Sequence, residues 1–508
     1  MDLKRVLSVI LGGIYVAAAA AVLAQNPLTK AQAEQKKQAE EVLINSLIFD
    51  ARSQTPEIAA DALITIAESE RLTGRPALKR RILDEAFELS SYAQHPVRIR
   101  YTGRTTDTPV NFRYNPLELK LDQAGLRSRV VRAFLKFDKA RARKLFLNEM
   151  VKPDLPPLGC ENAIRYYDVT DYYAAAAAVF NEAFTAKERA EPAFLYTVLP
   201  FVDGMTSPAQ VDQAAKLLAG LKLKPAQLSL LAASWAQALG KISNDDFTFR
   251  AWMPANAGVK GLIQAAGEPD RPSLLDAFRN YLLKQLNGTR CSDGIKENVK
   301  DPASSKYLLP GDVERLNNDL LKEKPVTARE IDPENIIKST RPPYYWSSAA
   351  SSRRLRDVQT LRFKDENNEF SAFERQTPEW RTNLDKYLLD IRMWVEGEEE
   401  SPIDYLNKKS LVFLSLIDGI VPKGAARDTV LKEYALFLSK NEPRGDDRLQ
   451  WFWLVRALLA DIVRTAKGEE RAKMLDIINS YNNATVKLYT DLIAFQGEPE
   501  KTPADPVK

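Results

Sequence analysis

A helical period that proline opens again and again is the feature that most limits this chain. Thr55-Pro56-Glu57 and Ser207-Pro208-Ala209 each stand at the head of an apolar stripe, as do Lys224-Pro225-Ala226, Pro272 and Pro378. Proline suits the first helical position, because the N–H it lacks has no partner there and its φ is already helical. Behind Pro225 come Leu228, Leu231, Trp235 and Leu239, all on one helical face. Behind Pro272 come Leu274, Phe278, Tyr281, Leu282 and Leu286, and behind Pro378 come Trp380, Leu384, Tyr387, Leu388 and Ile391. Pro208 and Pro225 lie 17 residues apart, about one helix and a turn. Short helices on that spacing predict an all-α fold, an irregular α-solenoid of stacked antiparallel helix pairs. Leu411 to Ile417 and Trp451 to Leu459 are apolar nearly all round and predict central helices.

Two stretches break the period. Val97, Ile99 and Tyr101 alternate with polar residues, and so do Val110, Phe112 and Tyr114. This predicts either a small β-hairpin over 97–114 or a long extended connector. From Asp301 to Pro343 six prolines punctuate a polar stretch, with one short helix expected near Val313 to Leu321. That connector divides the chain into an N-terminal helical-repeat region, 25–300, and a C-terminal helical domain, 344–495. Residues 496–508 carry charge and proline without an apolar period, the pattern of a disordered tail.

The N-terminus supplies an address. Val6 to Ala24 is uncharged over 19 residues, Lys4 and Arg5 precede it, and small or branched residues end it. A basic start, an apolar core and a small-residue exit are the parts of a secretory signal peptide over 1–24. The same run is close to the roughly 20 residues of a membrane helix, so a retained anchor is the alternative. Either way the body is expected on the outer side, periplasmic or extracellular, with the basic pair left inside. The chain has two cysteines, Cys160 and Cys291, 131 positions apart. In an oxidising compartment an even pair reads as a disulfide, and closing so long a loop stabilises by about 4–5 kcal/mol on chain entropy alone. Two buried thiols are the alternative.

Much chemistry is missing. His95 is the only histidine, so a paired-histidine zinc site is excluded and a Ser-His-Asp arrangement would need His95, which Pro96 follows at a helix end. No phosphate-cradling glycine loop, dinucleotide turn or nucleophile elbow is present. Asp365 to Phe370 alternates oxygens as a calcium loop does, but Phe370 stands where the sharp turn needs glycine. No cofactor and no metal is therefore expected. The 72 basic and 68 acidic residues leave a net charge of +4, which makes no case for nucleic acid. A pair of catalytic carboxylates needs only two acids across a cleft and leaves no local mark. Asp168, Asp171, Asp245, Asp246 and Glu396 lie near aromatics, but none is named catalytic on that ground.

The sharpest charge pattern lies in a helix expected from Ser128 to Met150. Arg129, Arg132, Lys136, Lys139 and Arg143 follow spacings of 3, 4, 3 and 4 and share one stripe. This is either a face for an acidic partner or anionic lipid, or a solvated face whose stems cover the core edge. A further helix is expected from Asn162 to Phe184, through Tyr166-Tyr167-Asp168 and five alanines. The segment from Phe137 to Phe146, FDKARARKLF, resembles a helix of tetratricopeptide-type repeats. The resemblance covers one helix and implies helical stacking and a peptide-binding concavity, with no binding residue carried over.

Three functions remain open at this level. The first is an exported, non-enzymatic scaffold that binds a protein or peptide in the cell envelope. The second is a carbohydrate-active enzyme on an all-α frame, using a carboxylate pair and aromatic stacking. The third is peripheral attachment to anionic membrane through the Arg129–Arg143 stripe.

Overall fold

The computed structural model describes residues 30–101, 115–159, 165–253, 255–288, 290–291, 310–327, 336–337, 349–365, 368–395, 397 and 401–496. The expected signal or anchor, the tail, Cys160, Glu396 and the second arm of the expected hairpin lie outside the described residues, as does most of the connector.

The all-α expectation holds. The first half runs through α1 (Lys30–Arg52), α2 (Pro56–Glu68), α3 (Pro76–Leu89), α4 (Gln123–Leu135), α5 (Lys139–Lys144) and α6 (Thr170–Glu182). It continues with α7 (Ala186–Ala190), α8 (Pro192–Val198), α9 (Pro208–Gly220), α10 (Pro225–Lys241), α11 (Asp246–Trp252), α12 (Ala257–Ala265) and α13 (Arg271–Leu286). α2 packs on its chain neighbour α3, while α4 packs on α6, α9 on α12 and α10 on α13, partners two or three helices on. The prolines open their helices as expected. Ser207 adds a capping box to α9, with Gln210 Oε1 reaching back to the Ser207 N–H at 3.1 Å. Thr55 behaves otherwise: its hydroxyl is buried without a partner among the described residues, and α2 opens on Pro56 alone.

The expected connector contains α14 (Pro310–Asp319), tied back by Lys260 to Asp319 at 2.6 Å. The second half consists of α15 (Ala349–Thr360), α16 (Pro378–Met393), α17 (Pro402–Ser415), α18 (Ala425–Lys440), α19 (Arg448–Thr465), α20 (Gly468–Asn479) and α21 (Ala484–Gln496). The two apolar runs are buried as expected, Val412 and Phe413 in the first and Trp451 and Phe452 in the second.

Three expectations change. The single helix over 128–150 is two helices, because Asp138 turns its carboxylate to the Arg141 N–H at 3.1 Å and caps α5. The segment Arg165–Asp168 is a strand, β2, not the start of a helix. It pairs antiparallel with β1 (Arg98–Tyr101), with Ile99 opposite Tyr167 and Arg98 opposite Asp168. A strand does form inside the expected 97–114 hairpin, and its described partner lies some 70 residues downstream. Alternation reveals a strand but not its mate.

The halves also meet. α21 packs on α1 and α2, and α19 packs on the turn Asn115–Leu119. One continuous apolar core runs from Ile44 of α1 to Phe495 of α21. At the seam, buried Asp61 of α2 takes Arg129 of α4 at 2.5 Å, the Tyr489 hydroxyl of α21 at 2.6 Å and Arg456 of α19 at 3.5 Å. Burial alone would raise the Asp61 carboxyl, but Arg129, Arg456 and Tyr489 outweigh it and hold the group below the usual carboxylate range.

Candidate functional site

A cluster of linked ion pairs lies around the β1–β2 ribbon. β1 supplies Arg98 and Arg100. β2 supplies Asp168, the first turn of α6 supplies Asp171, and α4 supplies Arg132. The turn before α4 supplies Glu118, Lys120 and Asp122. Arg98 is buried and donates to Asp168 at 2.6 Å, with Asp171 at 3.4 Å. Arg100 spans Glu118 at 2.8 Å and Asp168 at 3.6 Å, and its guanidinium lies 5.9 Å from the centre of the Tyr166 ring. Lys120, at 3.0 Å, and Arg132, at 3.4 Å, both reach Asp171 from the solvent side. Lys120 holds a left-handed φ of 59°, a strained conformation for a residue with a side chain.

Asp122 caps α4, accepting the Gly125 N–H at 2.8 Å, and is 3% exposed. Its other oxygen, Oδ1, is buried with no hydrogen-bond partner among the described residues. Burial dominates its titration and the nearby Asp171 adds to it. The Gly125 N–H and Arg98 pull the other way, and the carboxyl settles at about 6.

The basic stripe does not stand free. Arg129 is spent on Asp61, Arg132 on Asp171, Lys136 reaches Glu68 at 3.4 Å, and Arg143 takes Glu188 at 2.6 Å. Arg143 also lies over the Phe184 ring at 3.7 Å. Lys136 and Lys139 are the exposed members, and the break at Asp138 interrupts the stripe between them. The periodicity placed these side chains on one face, but it could not show that acids from α2 and α6 and from the α6–α8 stretch meet that face.

The acids near aromatics are likewise engaged. Asp168 and Asp171 serve the cluster above. Asp245 accepts the Thr248 N–H at 3.1 Å and the Leu158 N–H at 3.2 Å, and burial raises its carboxyl. Asp246 holds Arg250 at 2.9 Å and accepts the Cys291 N–H at 3.0 Å. The adjacent carboxylates of Asp245 and Asp246 thus tie the segment leading to Cys160 and Cys291 itself to one short piece of chain. Among the described residues no group of three or more histidine, cysteine or acidic side chains is placed to hold a metal. No described helix is long and apolar enough to cross a membrane.

Two features lie outside the sequence reading. Lys409 of α17 is buried, donating to the Trp394 carbonyl at 2.7 Å and the Tyr405 hydroxyl at 2.8 Å, with the Phe437 ring centre 5.0 Å away. Burial, then the nearby Arg354, pulls its amine down to about 8, although Glu433 opposes them. An open groove of about 630 Å³ runs between α18 and α20, lined by Lys432, Glu469, Ala472, Lys473, Ile477 and Tyr481 among others. Lys473 crosses to Asp428 at 2.9 Å at its edge. The spacing of 469, 473 and 477 marks one helix face, but the sequence carries no sign that α18 leaves that face uncovered.

No family model, no curated protein and no solved structure matches this chain.

Proposed function

We propose that the protein is an exported, non-enzymatic helical scaffold that takes a segment of a partner protein in the groove between α18 and α20. The observation that carries the reading is the groove itself: an open trough lined by Ala472, Ile477 and Tyr481 together with charges of both signs, Lys432, Lys473, Glu469 and Asp476. That lining suits a peptide with an apolar anchor flanked by polar residues. The described acids near aromatics, Asp168, Asp171, Asp245 and Asp246, are committed to caps and ion pairs. Export is supported by the leader Val6–Ala24 and by the way Asp245 and Asp246 gather the Cys160 and Cys291 segments. A bridge between these two cysteines is part of the proposal.

A photo-crosslinking residue placed at Ile477 in the native envelope tests the groove, with the same residue at exposed Leu230 of α10 as the control. The reading predicts a discrete adduct from position 477 and none from 230. Equal labelling at both positions, or none at 477, refutes it. Alkylation of the purified protein under denaturing, non-reducing conditions tests the compartment: no thiol is expected to react before reduction.

A further inference from the structure

We propose that the Lys120–Arg132 edge of the ribbon cluster binds an oxyanion group, a carboxylate, sulfate or phosphate, and that proton uptake by Asp122 strengthens the binding. The inference is independent of the groove. Among the described residues the cluster holds four bases, Arg98, Arg100, Lys120 and Arg132, against four acids, Glu118, Asp122, Asp168 and Asp171. It is balanced when all are ionised. Lys120, Arg132 and Arg100 are the half-open members; Arg100 has Glu118, whereas Lys120 and Arg132 both lean on the single oxygen Asp171 Oδ1. Two cations that share one acceptor oxygen have donors to spare, and the buried Nε atoms of Arg98 and Arg132 lack acceptors among the described residues. An oxyanion at this edge would supply acceptors to the outer pair.

Asp122 sets the balance from behind. Its buried, unpartnered Oδ1 is the place for a proton, and the cap on Gly125 uses the other oxygen, so protonation leaves α4 capped. The charges that face it are Arg98 from β1 and Asp171 from α6, with Lys120 and Arg132 beyond them. Protonation turns a neutral cluster into one of net charge +1. It also ends the repulsion between Asp122 and Asp171. His95 lies close in the chain fold, since its backbone carbonyl accepts the Gln123 N–H at 2.9 Å, so its imidazole is the control position for the pH response. Removing one negative charge behind a partly buried edge changes anion affinity by about tenfold.

Sulfate is the probe, since it does not itself titrate in this range. Calorimetric titration should show sulfate binding about tenfold tighter near pH 5 than near pH 7.5, with proton uptake on binding at the midpoint, as linkage demands. Asp122→Asn keeps a capping side chain and should bind with the acid-form affinity at both pH values. His95→Gln should keep the wild-type response, and Arg132→Gln should lose binding at both. A pH response that survives in Asp122→Asn, or disappears in His95→Gln, overturns the role of Asp122. Absence of sulfate binding near pH 5, or binding unchanged by Arg132→Gln, overturns the site.

Discussion

Two sites in this molecule, one in each half, bury a cation in opposite ways. In the first, Arg98 lies beneath the β1–β2 ribbon with Asp168 and Asp171 beside it. In the second, Lys409 lies at the joint of α16, α17 and α18 with a carbonyl, a hydroxyl and two aromatic rings around it. No carboxylate lies within ion-pair distance of Lys409 among the described residues. Its nearest charges are Arg354, which repels it, and Glu433, which Arg392 already holds at 2.5 Å. The lesson concerns what replaces water. A guanidinium is planar and can be shared between two carboxylates, so it is held by charge. An ammonium at a helix C-terminus can be held by dipoles and ring faces, but that costs part of its proton affinity.

The difference gives mutations of opposite sign. Arg98→Met should have the largest effect, a loss of about 3–5 kcal/mol in urea unfolding, because Asp168 stays buried with its main partner gone. Stability unchanged by that substitution would mean the ribbon is not held by charge. Lys409→Met should do the reverse and stabilise the fold by about 2 kcal/mol at neutral pH. The Trp394 carbonyl keeps the Tyr405 hydroxyl at 2.6 Å. The pH dependence follows from the same depression. Between about 8 in the fold and about 10.4 in the unfolded chain, the unfolded state binds more protons. Wild-type stability should therefore climb as pH rises through that window, and Lys409→Met should flatten the climb. The smallest effect belongs to the seam between the halves. Tyr489→Phe should cost about 1.5 kcal/mol, because Asp61 keeps Arg129 and Arg456. Two separate unfolding transitions in the wild-type protein would deny that the halves form one body.

Helix starts were readable from particular residues. Pro56, Pro208, Pro225, Pro272 and Pro378 each stand in a first turn, because the signal is local: one ring, one missing N–H. The central helices were readable too, since Trp451 to Leu459 is apolar at every position but Arg456. The candidate site was far less legible. Arg132 could be placed on a stripe, but nothing near it in sequence foretold Asp171, and nothing near Arg98 foretold Asp168, 70 positions on. The break at Asp138 was not legible, because a lone aspartate there sits inside a continuous basic run that keeps the helical period. Lys409 carried no signal, because a lysine beside Lys408 in a helix looks solvated.

Residue order alone thus determined the class of fold, the helix boundaries that proline marks, and the chemistries that one histidine forbids. These depend on period, ring and composition, which act within a few residues. Only the tertiary structure decided which charges remain available. Whether an arginine faces water or an aspartate depends on elements brought together from across the chain, and an electrostatic partner leaves no trace in the local pattern. For the same reason the union of Asp61 with Tyr489, 428 positions apart, could be found only in the folded molecule.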